Sequence, residues 1–105
     1  MSKCIIIPAF NEYENINILL KEIYKNDFKD LIIIIIDDSD ESFEKYIQKQ
    51  EDSIVYLFRG KKLGRGSAVL YGIEYALNTF KNIDLFIEMD ADMSHNPNEL
   101  KRNLV

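Results

Sequence analysis

Six consecutive branched aliphatic residues, Leu31 to Ile36, constrain the fold of this chain more than any other feature. The run is not interrupted by polar residues, so a strand formed from it would be apolar on both faces. Strands of that kind belong to parallel sheets that helices cover on both sides. Two aspartates, Asp37 and Asp38, follow the run directly. Surface solubility alone does not explain carboxylates at the end of a fully buried strand, so this end of the sheet is a candidate functional edge.

Strand and helix signals alternate along the rest of the chain, which predicts an α/β protein with a Rossmann-like, three-layer parallel sheet. The predicted strands are Cys4–Ile7, stopped by Pro8, and then Leu31–Ile36, Ile54–Phe58 and Ile83–Ile87. Apolar residues at helical spacing predict one helix around Ile16, Leu19, Leu20 and Ile23, and another whose apolar face is Ala68, Val69, Gly72, Ile73, Ala76 and Leu77. A short helix with Phe43, Tyr46 and Ile47 is predicted between them, ending near Gln50. Gly72 is expected to let its helix approach the sheet closely.

Length and charge limit the class of protein. The 105 residues, of which 47% are hydrophobic and 30% charged, predict a single domain over residues 1–105. The net charge of -5 argues against nucleic acid as a partner, because nucleic acids bind basic surfaces. The single cysteine, Cys4, allows no internal disulfide. No apolar stretch approaches the roughly 20 residues of a membrane span, and the N-terminus lacks a signal-peptide pattern. The expected location is the cytoplasm.

The last residues of the chain carry the start signal of a helix. Asn96 is a candidate N-cap and Pro97 suits the first helical position. The chain stops soon afterwards. We therefore expect the front part of a longer domain, or a natural or engineered truncation.

A second acidic strand end carries the clearest chemical signal. Asp90 and Asp92 follow the predicted strand Ile83–Ile87, and the carboxyl ends of parallel strands are where open α/β sheets bind ligands. Mg²⁺ and Mn²⁺ prefer carboxylates, water and substrate phosphates, with only one or two protein carboxylates. A solvated turn would also explain this pair taken alone. Together with Asp37 and Asp38, it favours a metal shared with a phosphorylated substrate.

Four sequence motifs, in this order along the chain, resemble those of a known family. They are Ile7-Pro8-Ala9-Phe10-Asn11-Glu12, Ile36-Asp37-Asp38-Ser39, Lys62-Leu63-Gly64-Arg65-Gly66-Ser67-Ala68 with Gly72, and Met89-Asp90-Ala91-Asp92-Met93-Ser94-His95-Asn96-Pro97. The chain resembles the N-terminal, nucleotide-binding half of a GT-A fold glycosyltransferase of the inverting family 2. Within that family it is most similar to the dolichol-phosphate and polyprenyl-phosphate mannosyltransferases. The loop at Asp37–Glu41 departs from the family by lacking a glycine, which implies a different path for that loop.

The resemblance implies a reaction and a set of site residues. The reaction is transfer of a sugar, mannose from GDP-mannose in the most similar members, to a polyprenyl or dolichyl phosphate with inversion, at the cytosolic face of a membrane. The implied donor-binding residues are Pro8, Phe10, Glu12, Ile36, Asp38, Asp90, Ala91 and Asp92. Asp90 and Asp92, with Ser94 as a third candidate, would bind Mg²⁺ or Mn²⁺. Lys62 and Arg65 are candidate phosphate contacts. No residue is identified as a catalytic base, because the family's acceptor site lies beyond this chain.

Several alternatives stay open at this point. Pro8 could end a strand and Phe10 could belong to the core, while the basic loop with Lys62 and Arg65 could be a solvated turn. His95 is interpreted as a structural loop residue. The chain could also be a truncated, non-catalytic module that binds nucleotide and metal, or a family 2 transferase with another sugar acceptor. The fourth strand would be an unpaired edge, which makes a homodimer a candidate state.

Overall fold

The computed structural model describes residues 2–11, 13–25, 30–47 and 54–90. Its regular elements are β1 (Ser2–Ala9), α1 (Tyr13–Lys25), β2 (Leu31–Asp37), a single-turn 3₁₀ helix (Glu44–Tyr46), β3 (Ile54–Phe58), α2 (Arg65–Thr79) and β4 (Ile83–Glu88). Neither α1 nor α2, the two α-helices of the described segments, has the length and apolar character of a membrane span. The helix start predicted at Asn96 falls outside these segments.

The four strands form one parallel sheet in the order β3-β2-β1-β4. The chain adds β2 and then β3 on one side of β1, and α2 then carries it back to place β4 on the other side. The direction of winding therefore reverses between β1 and β4. In open α/β sheets such a reversal opens a crevice at the carboxyl ends of the strands, where ligands bind.

Each face of the sheet packs against one helix, which confirms the predicted three-layer α/β arrangement. One face joins strand residues Ile5, Ile7, Ile33 and Ile35 to the predicted apolar stripe of α1, namely Ile16, Leu19, Leu20 and Ile23. The other face joins Cys4, Ile6, Ile34 and Ile36 to Ala68 and Ala76 of α2. Alternate residues of β2 enter the two cores, so the aliphatic run is buried on both faces as predicted.

The approach of α2 to the sheet depends on Gly72. A Cβ atom at this position would lie 2.8 Å from Ile36 Cδ1 and 3.1 Å from Ile6 Cδ1 and Cγ2. The predicted close approach is confirmed. The predicted apolar face is wrong at Leu77, which is 61% exposed. Ala76, not Leu77, faces the sheet at the C-terminal end of α2.

Pro8 does not stop β1, contrary to the prediction, because the strand continues to Ala9. Successive residues of a parallel strand direct their backbone groups to opposite neighbours. The Ile6 carbonyl accepts from Met89 N, so the Pro8 nitrogen faces the same side, and the β1–β4 register ends at Ile6 and Glu88. On its other side Pro8 stays in register with Ile36 of β2. A missing N–H is tolerated there because it interrupts no hydrogen bond of the described ladder.

The short helix predicted after β2 is a single 3₁₀ turn that ends at Tyr46. Phe43 and Ile47 are buried as the spacing suggested, whereas Tyr46 is exposed. Gln50 falls outside the described residues. One turn positions two apolar side chains over the α1 face of the sheet, and a longer helix is not needed for that contact.

Candidate functional site

Side chains from all four strand ends gather at the carboxyl edge of the sheet. Phe10 and Asn11 follow β1, the Asp37–Ser39 segment ends β2, Arg59 follows β3, and Asp90 follows β4. The basic loop 60–64 lies between β3 and α2, at the same edge. The edge therefore combines the acidic ends of two strands with cationic side chains.

Asp38 is bound on both carboxylate oxygens by one arginine. Arg59 Nε donates to Oδ1 at 2.6 Å and Nη2 donates to Oδ2 at 2.7 Å. Both side chains are almost fully buried, at 8% exposed for Arg59 and 7% for Asp38. The hydrogen bonds to Asp38 raise the pKa of the Arg59 guanidinium. A bidentate ion pair of this kind fixes the relative orientation of the two side chains and also neutralises their charges. Asp38 and Arg59 therefore hold the ends of β2 and β3 together.

Asp37 faces the other side of β2 and is buried with a tyrosine. The Tyr56 hydroxyl donates to Asp37 Oδ2 in a short hydrogen bond, and it accepts from Phe43 N at 3.1 Å. Burial, followed by the hydrogen bond to Asp37, raises the pKa of Tyr56 to about 12. Asp37 is thus a structural residue that secures the segment after β2.

The loop after β2 is closed by local hydrogen bonds in place of the family's glycine. Ser39 N donates to Asp37 Oδ1 at 2.9 Å, an Asx turn, and the Ser39 hydroxyl accepts from Asn11 N at 2.6 Å. Asn11 adopts a left-handed backbone conformation with φ 53°. These contacts join the ends of β1 and β2 directly, next to the predicted nucleoside-binding residue Phe10.

The basic loop folds back over this edge. Lys62 Nζ lies 5.1 Å from the centre of the Phe10 ring, which is a cation–π distance. Phe10 is only partly buried, so it is not a core residue. Gly64 precedes α2 with φ 96°, a conformation that suits glycine. The structure therefore brings together a residue predicted to contact the nucleoside and a residue predicted to contact phosphate.

The same loop is tied to α2 by Arg59. Arg59 Nη1 donates to Ser67 Oγ at 2.9 Å, and the guanidinium carbon of Arg59 lies 5.4 Å from the centre of the Tyr71 ring. Asp38 Oδ2 also accepts from Leu63 N at 3.4 Å. Through Arg59 and Asp38, the end of β2 sets the position of the basic loop and of the first turns of α2.

Arg65 pairs with the acidic end of β4. Its Nε donates to Glu88 Oε2, and its Nη1 forms an ion pair with Asp90 Oδ1. Asp90 is the first residue of the Asp-x-Asp motif. A predicted phosphate contact, at the start of α2, and a predicted metal ligand, after the end of β4, thus touch each other.

The remaining predicted residues lie either within the strands of the sheet or outside the described segments. Ile36 is fully buried against the position of Gly72, so its side chain does not reach the surface. Pro8 lies within β1. Glu12, Ala91, Asp92 and Ser94, as well as His95, fall outside the described residues.

The metal assignment stays a prediction. Within the described segments, no three His, Cys, Asp or Glu side chains come together as a cation site. Of the three candidate ligands only Asp90 belongs to those segments, and its carboxylate suits a hard divalent ion.

Sequence reasoning missed Arg59, Tyr56 and Glu88 as members of this edge. The signal for Arg59 was its position directly after a predicted strand, but only the strand order of the structure places it beside the acidic end of β2. Glu88 is the last residue of β4 and precedes Asp90 by two positions. Tyr56 gave no signal in the sequence, because alternate strand residues can face either core.

Comparison with known proteins agrees with this architecture. The family model described as glycosyl transferase family 2 matches residues 4–104. The chain is 30% identical over 104 residues to the polyprenol monophosphomannose synthase of Mycolicibacterium smegmatis, covering 95% of this chain and 38% of that protein. It is 31% identical over 106 residues to the undecaprenyl-phosphate 4-deoxy-4-formamido-L-arabinose transferase of Photorhabdus laumondii, covering 93% of this chain and 31% of that protein.

A third relative is the undecaprenyl-phosphate mannosyltransferase of Micrococcus luteus, 29% identical over 103 residues, or 94% of this chain and 41% of that protein. The chain therefore spans less than half the length of these curated relatives. No solved structure matches the chain. Since the family model covers nearly every residue, and the acidic strand ends lie on the expected parallel sheet, the chain belongs to glycosyl transferase family 2.

Proposed function

We propose that this chain is the donor-binding part of an inverting glycosyltransferase that transfers a sugar to a polyprenyl phosphate. Each of the three relatives is named for transfer to a polyprenol or undecaprenyl phosphate, which supports the acceptor class. Two of them are named for mannose, so GDP-mannose is the proposed donor. The third is named for a formamido-arabinose sugar, which makes the donor the part of the proposal that most needs testing.

One observation carries the proposal: Asp90 follows β4 at the point where the winding of the sheet reverses, in a chain that matches the family from end to end. Strand ends at such a reversal are where α/β sheets bind nucleotides. Phe10 and Lys62 lie at the end of the adjacent strand and in the basic loop. They supply an aromatic ring and a positive charge for a nucleoside diphosphate.

Asp90 and Asp92, with Ser94 as a third candidate, are the proposed ligands of Mg²⁺ or Mn²⁺. When bound, such an ion would neutralise the negative charge that builds on the departing nucleoside diphosphate. Arg65 and Lys62 are the proposed side-chain contacts of the diphosphate. A phosphate acceptor is already ionised, so transfer to it requires no general base from the protein.

The arrangement of the edge changes the roles proposed for two residues. Asp38 already accepts two hydrogen bonds from Arg59, so we propose that it acts mainly by positioning the basic loop. Any contact with ribose or base would use its remaining lone pairs. Ile36 supports the floor of the site from the core and makes no side-chain contact with the donor.

Two further parts of the proposal concern the whole protein. An acceptor with a polyprenyl chain resides in a membrane, which supports a peripheral position at the cytosolic membrane face. β4 is an edge strand of the described sheet, so pairing of two copies along β4 is a candidate route to a homodimer.

Calorimetric titration of GDP and of UDP, with and without Mn²⁺, tests the donor site. We expect GDP to bind more tightly than UDP and to require the metal. Asp92→Asn should weaken binding at least about tenfold, because a neutral amide replaces an anionic ligand. Asp84→Asn is the matched control, since Asp84 is an exposed acidic residue near the start of β4, away from the strand ends that form the site.

Tighter binding of UDP would reassign the donor, and failure of the folded chain to bind either nucleotide would contradict a donor site built from these residues. A transfer assay with GDP-mannose and a polyprenyl phosphate completes the test. We expect the 105 residues to bind donor without transferring sugar, so turnover by the pure chain would contradict this expectation.

A further inference from the structure

Arg65 connects two carboxylates at the end of β4. It is the first residue of α2, and its guanidinium pairs with Glu88 and with Asp90. The Asp90 side chain is 16% exposed, whereas that of Arg65 is 49% exposed. The arginine can therefore exchange this pair for another anion more easily than the aspartate can change its position.

Asp90 is also the carboxylate proposed to bind the metal, and Arg65 Nη1 already pairs with its Oδ1. Two cations held close to one carboxylate repel each other. A divalent ion that binds Asp90 would have to displace Arg65 from Oδ1 or bind beside its positive charge, and a displaced Arg65 would still have Glu88 as a partner. The free energy of the existing ion pair opposes binding of the metal alone.

A nucleoside diphosphate removes this obstacle because it offers Arg65 another partner. The planar guanidinium fits phosphate oxygens through two parallel N–H···O bonds. We infer that Arg65 is a counter-ion that holds Asp90 until a nucleoside diphosphate arrives, and that its transfer to the diphosphate couples nucleotide binding to metal binding. This inference rests on the proposed function and adds to it an order of loading, in which the donor and the metal enter together.

Coupling of this kind is reciprocal: nucleotide and metal each raise the affinity for the other by the same factor. Part of the factor arises without Arg65, because a metal also bridges to the diphosphate. The affinity for metal alone is therefore the decisive quantity. Without Arg65, the metal no longer competes with a neighbouring cation at Asp90, and it should bind more tightly in the absence of nucleotide.

The test is calorimetric titration of Mn²⁺ alone, and of Mn²⁺ with GDP or UDP present, into the 105-residue chain and its variants. We expect Arg65→Gln to bind Mn²⁺ alone at least about fivefold more tightly than the unmodified chain. We also expect nucleotide to increase the Mn²⁺ affinity of Arg65→Gln by a smaller factor. Lys61→Gln is the matched control, because it removes the same charge from an exposed residue of the basic loop. Its Mn²⁺ affinity should stay within about twofold, since solvent screens charges that are not in contact.

The outcomes separate the inference from the proposed function. Equal affinity of Arg65→Gln and the unmodified chain for Mn²⁺ alone, with nucleotide-dependent binding retained, would overturn the inference only. Absence of nucleotide-dependent Mn²⁺ binding in both the unmodified chain and Lys61→Gln would overturn the proposed function and the inference with it.

Arg65→Lys provides a second variant if Arg65→Gln does not fold. Lysine keeps the positive charge but lacks the planar set of N–H donors with which the guanidinium binds both carboxylates. The affinity of Arg65→Lys for Mn²⁺ alone should therefore rise by a smaller factor. No rise in folded Arg65→Lys would count against the inference.

Discussion

Arg59 binds both carboxylate oxygens of Asp38, and this buried pair joins the end of β3 to the end of β2. Removal of one partner from a buried ion pair leaves the other charge without compensation. We expect Arg59→Ala to lower the free energy of unfolding by about 3–5 kcal/mol. Urea unfolding followed by circular dichroism measures the change. Lys61→Ala is the control and should stay within about 0.5 kcal/mol, as exposed substitutions usually do. A loss no larger than that of the control would show that the pair does not stabilise the fold.

Gly72 should not tolerate a methyl group. In Gly72→Ala the new Cβ would lie 2.8 Å from Ile36 Cδ1 and 3.1 Å from two Ile6 atoms, and both isoleucines are fully buried. Overpacking outweighs the gain in helix propensity, and we expect a loss of about 1–2 kcal/mol in the free energy of unfolding. Gly66→Ala in the same helix is the control, because nothing lies within 4 Å of its added Cβ. Gly66→Ala should be neutral or stabilising, and equal effects of the two substitutions would contradict the close approach.

Tyr56 should make stability fall at high pH. Its pKa rises from 10.0 to about 12 in the folded chain, through burial and the hydrogen bond to Asp37. A raised pKa stabilises the folded state fully below the unfolded pKa, and this contribution is lost as pH rises through the folded pKa. Between about pH 10 and pH 12, the free energy of unfolding should therefore fall more steeply for the unmodified chain than for Tyr56→Phe.

Urea unfolding at several pH values over that range measures the slope. Tyr46→Phe, at an exposed tyrosine, should keep the slope of the unmodified chain. Parallel curves for Tyr56→Phe and the unmodified chain would contradict the raised pKa of Tyr56 and its hydrogen bond to Asp37.

Cys4 should be chemically protected until the chain unfolds. It is fully buried in β1, and burial raises the pKa of its thiol to about 12. Only the thiolate reacts with disulfide reagents, so labelling in native buffer should be at least about a hundredfold slower than in denaturant. With an aromatic disulfide as the reagent, each labelled Cys4 releases one aromatic thiol, and the absorbance of that thiol measures both rates. Fast labelling in native buffer would mean that the central strand is accessible.

The sheet could be predicted because its strands are set by local composition. The aliphatic run Leu31–Ile36 permits only a doubly buried strand, and Gly72 marks the contact of α2 with that strand. The error at Pro8 arose because a strand tolerates proline only where the missing N–H would have no hydrogen-bond partner. The sequence alone does not show which neighbouring strand the proline nitrogen faces. The error at Leu77 arose because Ala76 and Leu77 fit the helical spacing equally well, and only the approach of α2 to the sheet selects between them.

Many residues of the candidate site could be named from the sequence, but the contacts between them could not. Asp38 and Asp90 stand out because carboxylates follow apolar strands, whereas their partners Arg59 and Arg65 come from elements distant in sequence. Which cation reaches which carboxylate depends on strand order, and strand order is not encoded in local periodicity. The pairing of Asp38 with Arg59 in particular could not be inferred before β2 and β3 were known to be neighbours.

The central position of β1 has a consequence for how the chain folds. β1 pairs with β4, and this register links Ser2 to Ile83, residues that are far apart along the chain. Contacts between such distant segments require closure of a long loop and form slowly compared with local structure. α1 and the pairing of β1 with β2 can form from the first part of the chain alone. The contact of Arg65 with Asp90 requires β4 to dock, so this part of the site forms only when that long loop has closed.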